Sequence, residues 1–181
     1  MRNVTITIYQ FDELNETAKE KARDRYRAGA LDYEWWDGIF DEAQRIGLKI
    51  TGFGLDRRRY ATGELTMSLN ESCQAILTEH GETCESYTIA SSYAGELATL
   101  TATLAKEKEE LTEEEYTDKA DDLDETYQEE IERLTGEYEK ELLEAYSLML
   151  EHEHEWQLAD EQVDESIRAN GYEFTEDGEW A

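Results

Sequence analysis

Between residues 112 and 159 the apolar positions fall on one stripe: Tyr116, Ala120, Leu123, Tyr127, Ile131, Leu134, Tyr138, Leu142, Ala145, Met149, His152 and Trp156. Steps of four and three alternate, and equivalent positions recur every eleven residues, about 3.67 residues per turn. The spacing predicts one helix, faintly right-handed if supercoiled and roughly 65 Å long. No proline and a single glycine, Gly136, interrupt it. One face of this helix is apolar and most of the rest is carboxylate.

The segment before it changes period. Tyr87, Ala90, Ala94, Leu97, Thr101, Leu104, Lys108 and Leu111 step strictly by three and four, a heptad seam of mostly small residues that suits one helix lying close on another. Thr112-Glu113-Glu114-Glu115 reads as a capping box that starts a new helix. With almost no loop between them, the two helices are expected to fold back as an antiparallel hairpin. The first helix, about 25 residues, would cover its partner only as far as Gly136. Beyond Gly136 the apolar face widens through Leu142, Leu143, Tyr146, Leu148, Met149 and Leu150, so this half is expected to pack on the rest of the protein. The expected division is an α+β body over 1–86, a projecting acidic hairpin over 87–136, and a helix and strand over 137–181 that return to the body.

Outside the hairpin the elements are shorter. Val4, Ile6 and Ile8 alternate with Thr5, Thr7 and Tyr9, a half-buried strand. Asp12 or Asn15 supplies the N-cap of a helix to about Ala28, with Glu16 and Glu20 early and Arg23, Arg25 and Arg27 late, as the helix dipole favours. A second helix is expected from Asp32 through Trp35, Trp36, Ile39, Phe40, Ala43 and Ile46 to Gly47. Residues 48–55 and 60–69 read as a hairpin of strands around Asp56-Arg57-Arg58-Arg59. Asn70 is placed as the cap of a short helix ending at His80-Gly81, and Asp160 as the cap of another that Asn170-Gly171 closes. Tyr172-Glu173-Phe174 forms the last strand, before a turn at Glu176-Asp177-Gly178. Strands at both chain ends imply a small antiparallel sheet and an α+β fold.

Charge changes this picture because it is uneven. Residues 1–60 hold 11 acidic and 11 basic side chains; the remaining 35 acids and 6 bases carry the whole formal net charge of −29. A salt-adapted chain would spread its acids evenly, which this one does not. Residues 107–132 alone hold fourteen acids and two lysines, Lys108 and Lys119. Fourteen charges over 26 helical residues give one per about 2.8 Å of axis, within the range of duplex DNA at about 1.7 Å, or 3.4 Å along one strand. Such a surface repels nucleic acid and anionic membranes and attracts basic partners. Ordinary solvated helices mix Glu with Lys at i,i+4, and here that compensation is nearly absent. The candidate partner-binding residues are Glu107, Glu110, Glu113, Glu114, Asp118, Asp121, Asp122, Glu125, Glu129 and Glu132. The bland alternative is a solvated face on a two-helix hairpin.

Other constellations are weaker. His152 and His154 are two apart, about 200° around a helix, and cannot share one ion; His152 lies on the apolar stripe as a packed histidine. Cys73, His80 and Cys84 could approach one another around Gly81, but three ligands without a CxxC pair read better as reduced core thiols. Trp35-Trp36 reads as one core ring and one rim ring, or as an interface anchor. Arg57-Arg58-Arg59 fits pairing with the protein's own carboxylates. Phosphate loops, nucleophile elbows and converging acid–base pairs are missing from the sequence, so neither a catalytic role nor a cofactor or metal is expected.

Several motifs resemble a widespread group of small phage and prophage proteins. They are Tyr9-x-Phe11-Asp12-Glu13-Leu14 with Ala18-Lys19-Glu20-Lys21-Ala22, Tyr33-x-Trp35-Trp36-Asp37, Phe53-x-Leu55-Asp56-Arg57, Ile76-Leu77-x-x-His80-Gly81-x-x-Cys84-Glu85-x-Tyr87 and Ala169-Asn170-Gly171-Tyr172-Glu173-Phe174-x-x-Asp177-Gly178. The resemblance implies a mobile-element origin, and such elements often encode small acidic inhibitors of host defence. It supplies no catalytic residues. The expectation is a cytoplasmic, non-enzymatic DNA mimic directed at a basic, nucleic-acid-binding host protein such as a CRISPR effector or restriction enzyme. The alternative is a structural or interaction module, such as an antitoxin or a homodimer joined along the Tyr-Leu stripe.

Overall fold

The computed structural model describes residues 7–181, except for the side chains of residues 113–115, 117 and 118. The fold is α+β. Its elements are β1 (Tyr9–Gln10), a 3-10 turn (Phe11–Glu13), α1 (Glu16–Arg27), α2 (Asp37–Arg45), β2 (Leu48–Gly54), β3 (Tyr60–Leu65), α3 (Leu69–Glu79), α4 (Glu85–Glu109), α5 (Glu113–Leu158), α6 (Asp160–Asn170) and β4 (Glu173–Phe174). They form two compact units, Met1–Asp37 with Glu151–Ala181, and Gly38–Leu150. These divisions fall at neither of the expected boundaries, 86/87 and 136/137. Helix α5 contributes residues to both units.

In the first unit, β1 pairs antiparallel with β4, Tyr9 opposite Phe174 and Gln10 opposite Glu173. Val4 and Ile6 of the expected strand lie outside the described residues. Asn15, not Asp12, caps α1: its Oδ1 accepts from the Ala18 N–H at 3.0 Å. Phe11, Leu14, Ala18, Ala22, Val163, Ile167 and Phe174 make the core. Gly171 closes α6 in the left-handed conformation, φ 64°. Gly178 (φ 87°) turns so tightly against α1 that an added Cβ would lie 2.2 Å from the Ala18 carbonyl oxygen. Across this core, Arg23 forks onto Asp164 through Nε–Oδ1 (2.7 Å) and Nη2–Oδ2 (2.9 Å), while its Nη1 reaches Glu16 and Glu20. The Asp164 carboxylate, foremost, holds the Arg23 guanidinium firmly protonated although the residue is only 9 % exposed.

The second unit is built on the β2–β3 hairpin, Leu48 opposite Leu65 and Gly54 opposite Tyr60, with an irregularity between Ile50 and Gly52. The expected single sheet is thus two separate two-stranded pairs, because the C-terminal strand meets β1 and not the central hairpin. Helix α2 begins at Asp37, later than expected, leaving Trp35 and Trp36 in the turn before it, among the residues of the first unit. Both rings are half-buried and stand edge to face at 5.5 Å, which replaces the reading of one core and one rim ring. Helix α3 is capped by Ser68, whose capping box with Glu71 outcompetes Asn70. Ser68-Leu69-Asn70-Glu71 has the required acid at the third position; Asn70 would have Cys73 there. Likewise Ala159 is the N-cap of α6 and Asp160 its first residue. The core gathers Ala43, Ile46, Leu48, Ile50, Leu69, Cys73, Ile76, Ala90, Tyr93, Leu134, Tyr138, Leu142 and Tyr146, so the 137–150 part of α5 packs on the hairpin and its helices as expected.

Replacing Arg23 by Ala leaves Asp164 without its fork, and urea unfolding is expected to show a loss of about 3 kcal/mol. Gly136 is exposed inside α5 and an added Cβ there meets nothing within 4 Å. Gly136→Ala is therefore expected to raise the urea midpoint, by up to about 1 kcal/mol in stability. Destabilisation would show that the glycine marks a real break in the helix.

Candidate partner-binding surface

Three cross-links define the α4–α5 pairing. The Tyr93 ring stands edge to face on Tyr138 at 5.3 Å and its hydroxyl donates to Glu141 at 3.1 Å; the Thr101 and Tyr127 hydroxyls meet at 3.0 Å; Lys108 pairs with Asp124. As one partner number rises the other falls, so the helices form the expected antiparallel hairpin. Their pairing reaches Glu141 and does not stop near Gly136, since a helix running back to Glu85 has enough length to go further. On α4 the buried line is Ser86, Ala90 and Tyr93, continued by half-buried Leu97, Leu100 and Leu104. This shares Ala90, Leu97 and Leu104 with the expected seam but replaces Ala94 with Tyr93 as the deepest contact.

On α5 the expected stripe holds from Ala120 to Leu142, with Leu134, Tyr138 and Leu142 almost wholly buried. Then it turns. Tyr146 and Leu150 are buried, whereas Met149 is 39 % and Trp156 54 % exposed. His152 is exposed too, not packed. Steps of four advance about 40° around a helix, and the line 134, 138, 142, 146, 150 rotates accordingly. The cause is a change of neighbours: α4 alone demands a straight seam, while α2, α3 and β3 meet the later turns through Glu42, Ser72 and Leu65.

The candidate acids divide into two groups. Glu107, Glu110, Asp121, Asp122, Glu125, Glu129 and Glu132 are exposed; the side chains of Glu113, Glu114 and Asp118, and the proposed capping box at Glu115, lie outside the described residues. Glu107, Glu110 and Asp122 line one concavity, and Glu107 and Glu129 line the next. Asp121, Glu125 and Glu132 lie on the outer arc of α5, and with Glu129 they fall within about 80° of helix circumference. That row rises roughly 16 Å over eleven residues, one charge per about 5.5 Å, against 3.4 Å along a nucleic-acid strand. The density read from sequence sums all faces of the helix; one face presents about three-fifths of a strand's charge. Some of it is compensated. Lys106 lies 3.6 Å from Glu110, Lys108 pairs with Asp124, and Arg133 bridges Glu130 and Glu137. The Glu130 carboxyl is held below its ordinary range by Arg133. Arg59, from the arginine run, reaches Glu144 at 2.9 Å, in line with the expected internal pairing.

Cys73, His80 and Cys84 do not assemble as ligands. Cys73 is buried, which raises its thiol pKa, and Cys84 is exposed at the N-cap of α4. His80 instead joins a network that the sequence did not reveal. Its Nδ1 meets the Ser86 hydroxyl at 2.7 Å, and its Nε2 lies 2.8 Å from Glu42 Oε1 without the alignment of a hydrogen bond. Glu42 also accepts from the buried Tyr146 hydroxyl at 2.7 Å. Below it, the Ser72 hydroxyl donates to the Ile46 carbonyl and meets the Tyr138 hydroxyl at 2.9 Å. Ser, His and Glu in line have the composition of a nucleophile relay, but Ser86 is 4 % exposed, so a substrate carbonyl has no approach to its oxygen. The arrangement staples α2, α3 and α4 together. Among the described residues no group of three His, Cys, Asp or Glu is placed to hold a metal, and no helix is long and apolar enough to cross a membrane. No family model matches this chain, and no curated protein and no solved structure is significantly similar to it.

Burial, reinforced by Glu141, pushes the Tyr93 hydroxyl up to about 12, and burial likewise raises Tyr138 and Tyr146. Unfolded tyrosine loses its proton near pH 10, so between about pH 10 and 12 the folded state holds protons that the unfolded state has released. Stability is therefore complete below about pH 10 and falls above it, by about 1.4 kcal/mol per pH unit for each such tyrosine. Tyrosinate absorbance is expected to rise in two phases, with Tyr93, Tyr138 and Tyr146 contributing only to the later one, on unfolding. A single phase near pH 10 would contradict this.

Proposed function

We propose that this chain is a non-enzymatic acidic protein of phage or prophage type. Its α4–α5 hairpin occupies the nucleic-acid site of a basic host defence protein, a CRISPR effector or a restriction enzyme. The observation that carries the reading is the exposed arc of Asp121, Glu125, Glu129 and Glu132, with Asp122 exposed beside it, on a helix anchored at its other end by Leu142 and Tyr146. Lysine and arginine side chains that normally meet phosphates would meet these carboxylates. Pairing releases the counterions of both surfaces, which gives affinity and makes it fall with salt. A helix held in place by its core also loses less conformational entropy on binding than a disordered acidic tail.

The alternative, an interaction module or homodimer, has one supporting observation: Tyr116, first on the apolar stripe, is 49 % exposed. Carboxylates on both copies oppose that arrangement.

The test is protection in cells. Expression of the chain is expected to raise the plating of a restricted phage or the survival of a CRISPR-targeted plasmid. Asp121→Lys, Asp122→Lys and Glu125→Lys together are expected to reduce that protection by about tenfold or more, as loss of several charge contacts should. Protection that persists unchanged in the triple variant would refute the decoy.

A further inference from the structure

On one side of the α4–α5 hairpin three concavities of about 580, 540 and 600 Å³ adjoin end to end. The first two share Leu100, Thr103 and Glu130; the last two share Glu107, Leu123 and Thr126. They make one groove along α4 from Ser92 to Leu111, roughly 28 Å, the length of a helix of about 19 residues. Leu100, Leu104, Leu111 and Leu123 lie half-buried along its floor. The α4 wall is low, because Ser92, Gly95, Thr99 and Thr103 follow one another at helical spacing. An added Cβ at Gly95 would meet nothing within 4 Å. Small residues there let another backbone approach to helix-packing distance. Carboxylates stand along both rims: Glu96, Glu107 and Glu110 from α4, Asp122, Glu129 and Glu130 from α5. Two cations also line the groove, Lys119 and Arg133, the latter bound to Glu130 and Glu137.

We infer that this groove docks a cationic amphipathic helix of the partner, its apolar stripe on the leucines and its lysines and arginines on the two acidic rims. The inference rests on the reading of the hairpin as a partner-binding surface and specifies what the partner presents to it. Charge complementarity selects the occupant. A second copy of this chain, at net −29, would bring its own acidic faces against these rims. A flat phosphate-binding surface would leave the leucine floor uncovered, whereas a helix with apolar residues at i, i+3, i+4 and i+7 covers it.

Two synthetic peptides of about 19 residues test this against the full chain. One has lysines with leucines at helical spacing; the other has the same lysines with serines replacing the leucines. The Leu/Lys peptide is expected to bind at least about tenfold tighter and to become helical, since only it can fill the floor. Thr99→Trp with Thr103→Trp, at exposed wall positions, is expected to weaken it about tenfold and to leave the Lys/Ser peptide unaffected. Thr126→Trp fills the groove from the α5 side and provides a second variant, with circular dichroism checking the fold of each. Equal binding of the two peptides, or a Leu/Lys affinity untouched by the tryptophans, would overturn the groove. If both peptides nonetheless bind in a salt-dependent way that the triple lysine reversal weakens, the acidic-surface reading survives. If neither peptide binds at low salt, that reading falls as well. A dimer that the tryptophans convert to monomer would assign the groove to a second copy and also overturn the inference.

Discussion

Repulsion among carboxylates is the constraint on which the rest of this structure turns: 46 acidic side chains share 17 lysines and arginines. The cations are placed where they join elements. In the first unit Arg23 holds Asp164, Arg27 reaches Asp160 and Arg168 reaches Asp12. In the second, Arg45 reaches Glu79, Lys49 Glu64, Arg59 Glu144 and Lys108 Asp124. Exposed pairs of this kind contribute at most about 1 kcal/mol each, so they direct the packing more than they hold it together. The buried Arg23–Asp164 fork is the exception. Cohesion comes from the two cores, where each fully buried Leu, Ile or Phe contributes about 2 kcal/mol.

The same scarcity of cations shapes the hairpin. Its inner edges take the compensation: Lys108 and Asp124 tie the helices, and Arg133 ties successive turns of α5. The outer arc of α5 carries Asp121, Glu125, Glu129 and Glu132, all exposed. Carboxylates at fixed spacing on a packed helix differ physically from the same acids on a disordered tail, because their spacing survives in solution. That difference connects the packing of Tyr93, Tyr138 and Leu142 to the proposed function: loosen the seam and the charge pattern blurs.

Much of this was legible in the sequence, and the misses have physical causes. Gly171 and the Leu134–Tyr138–Leu142 seam were readable because a cap or a seam depends on local spacing, whereas the sequence left Asp12 and Asn15 both open as the cap of α1. The turn of the buried face to Tyr146 and Leu150 was not, because it depends on which elements surround the later part of α5. Ser68 and Asn70 are both good caps, and the capping box with Glu71 decides between them. The pairing of β1 with β4 depends on tertiary contacts that strand patterns do not encode. For the acidic surface, counting charges along the helix overstated the density, since a partner meets one face at a time. The His80–Glu42–Tyr146 network left no local signal, because Glu42 lies on α2, Tyr146 on α5 and His80 at the end of α3.

The central claim is that the hairpin takes the place of nucleic acid, and competition tests it most directly. The immobilised chain would be exposed to nuclease-treated host lysate at low salt, and the retained proteins challenged with duplex DNA. Duplex DNA is expected to elute a nucleic-acid-binding defence protein, and this protein is not expected to be retained by the chain carrying Asp121→Lys, Asp122→Lys and Glu125→Lys. Retention that neither duplex DNA nor the charge reversal disturbs would contradict it.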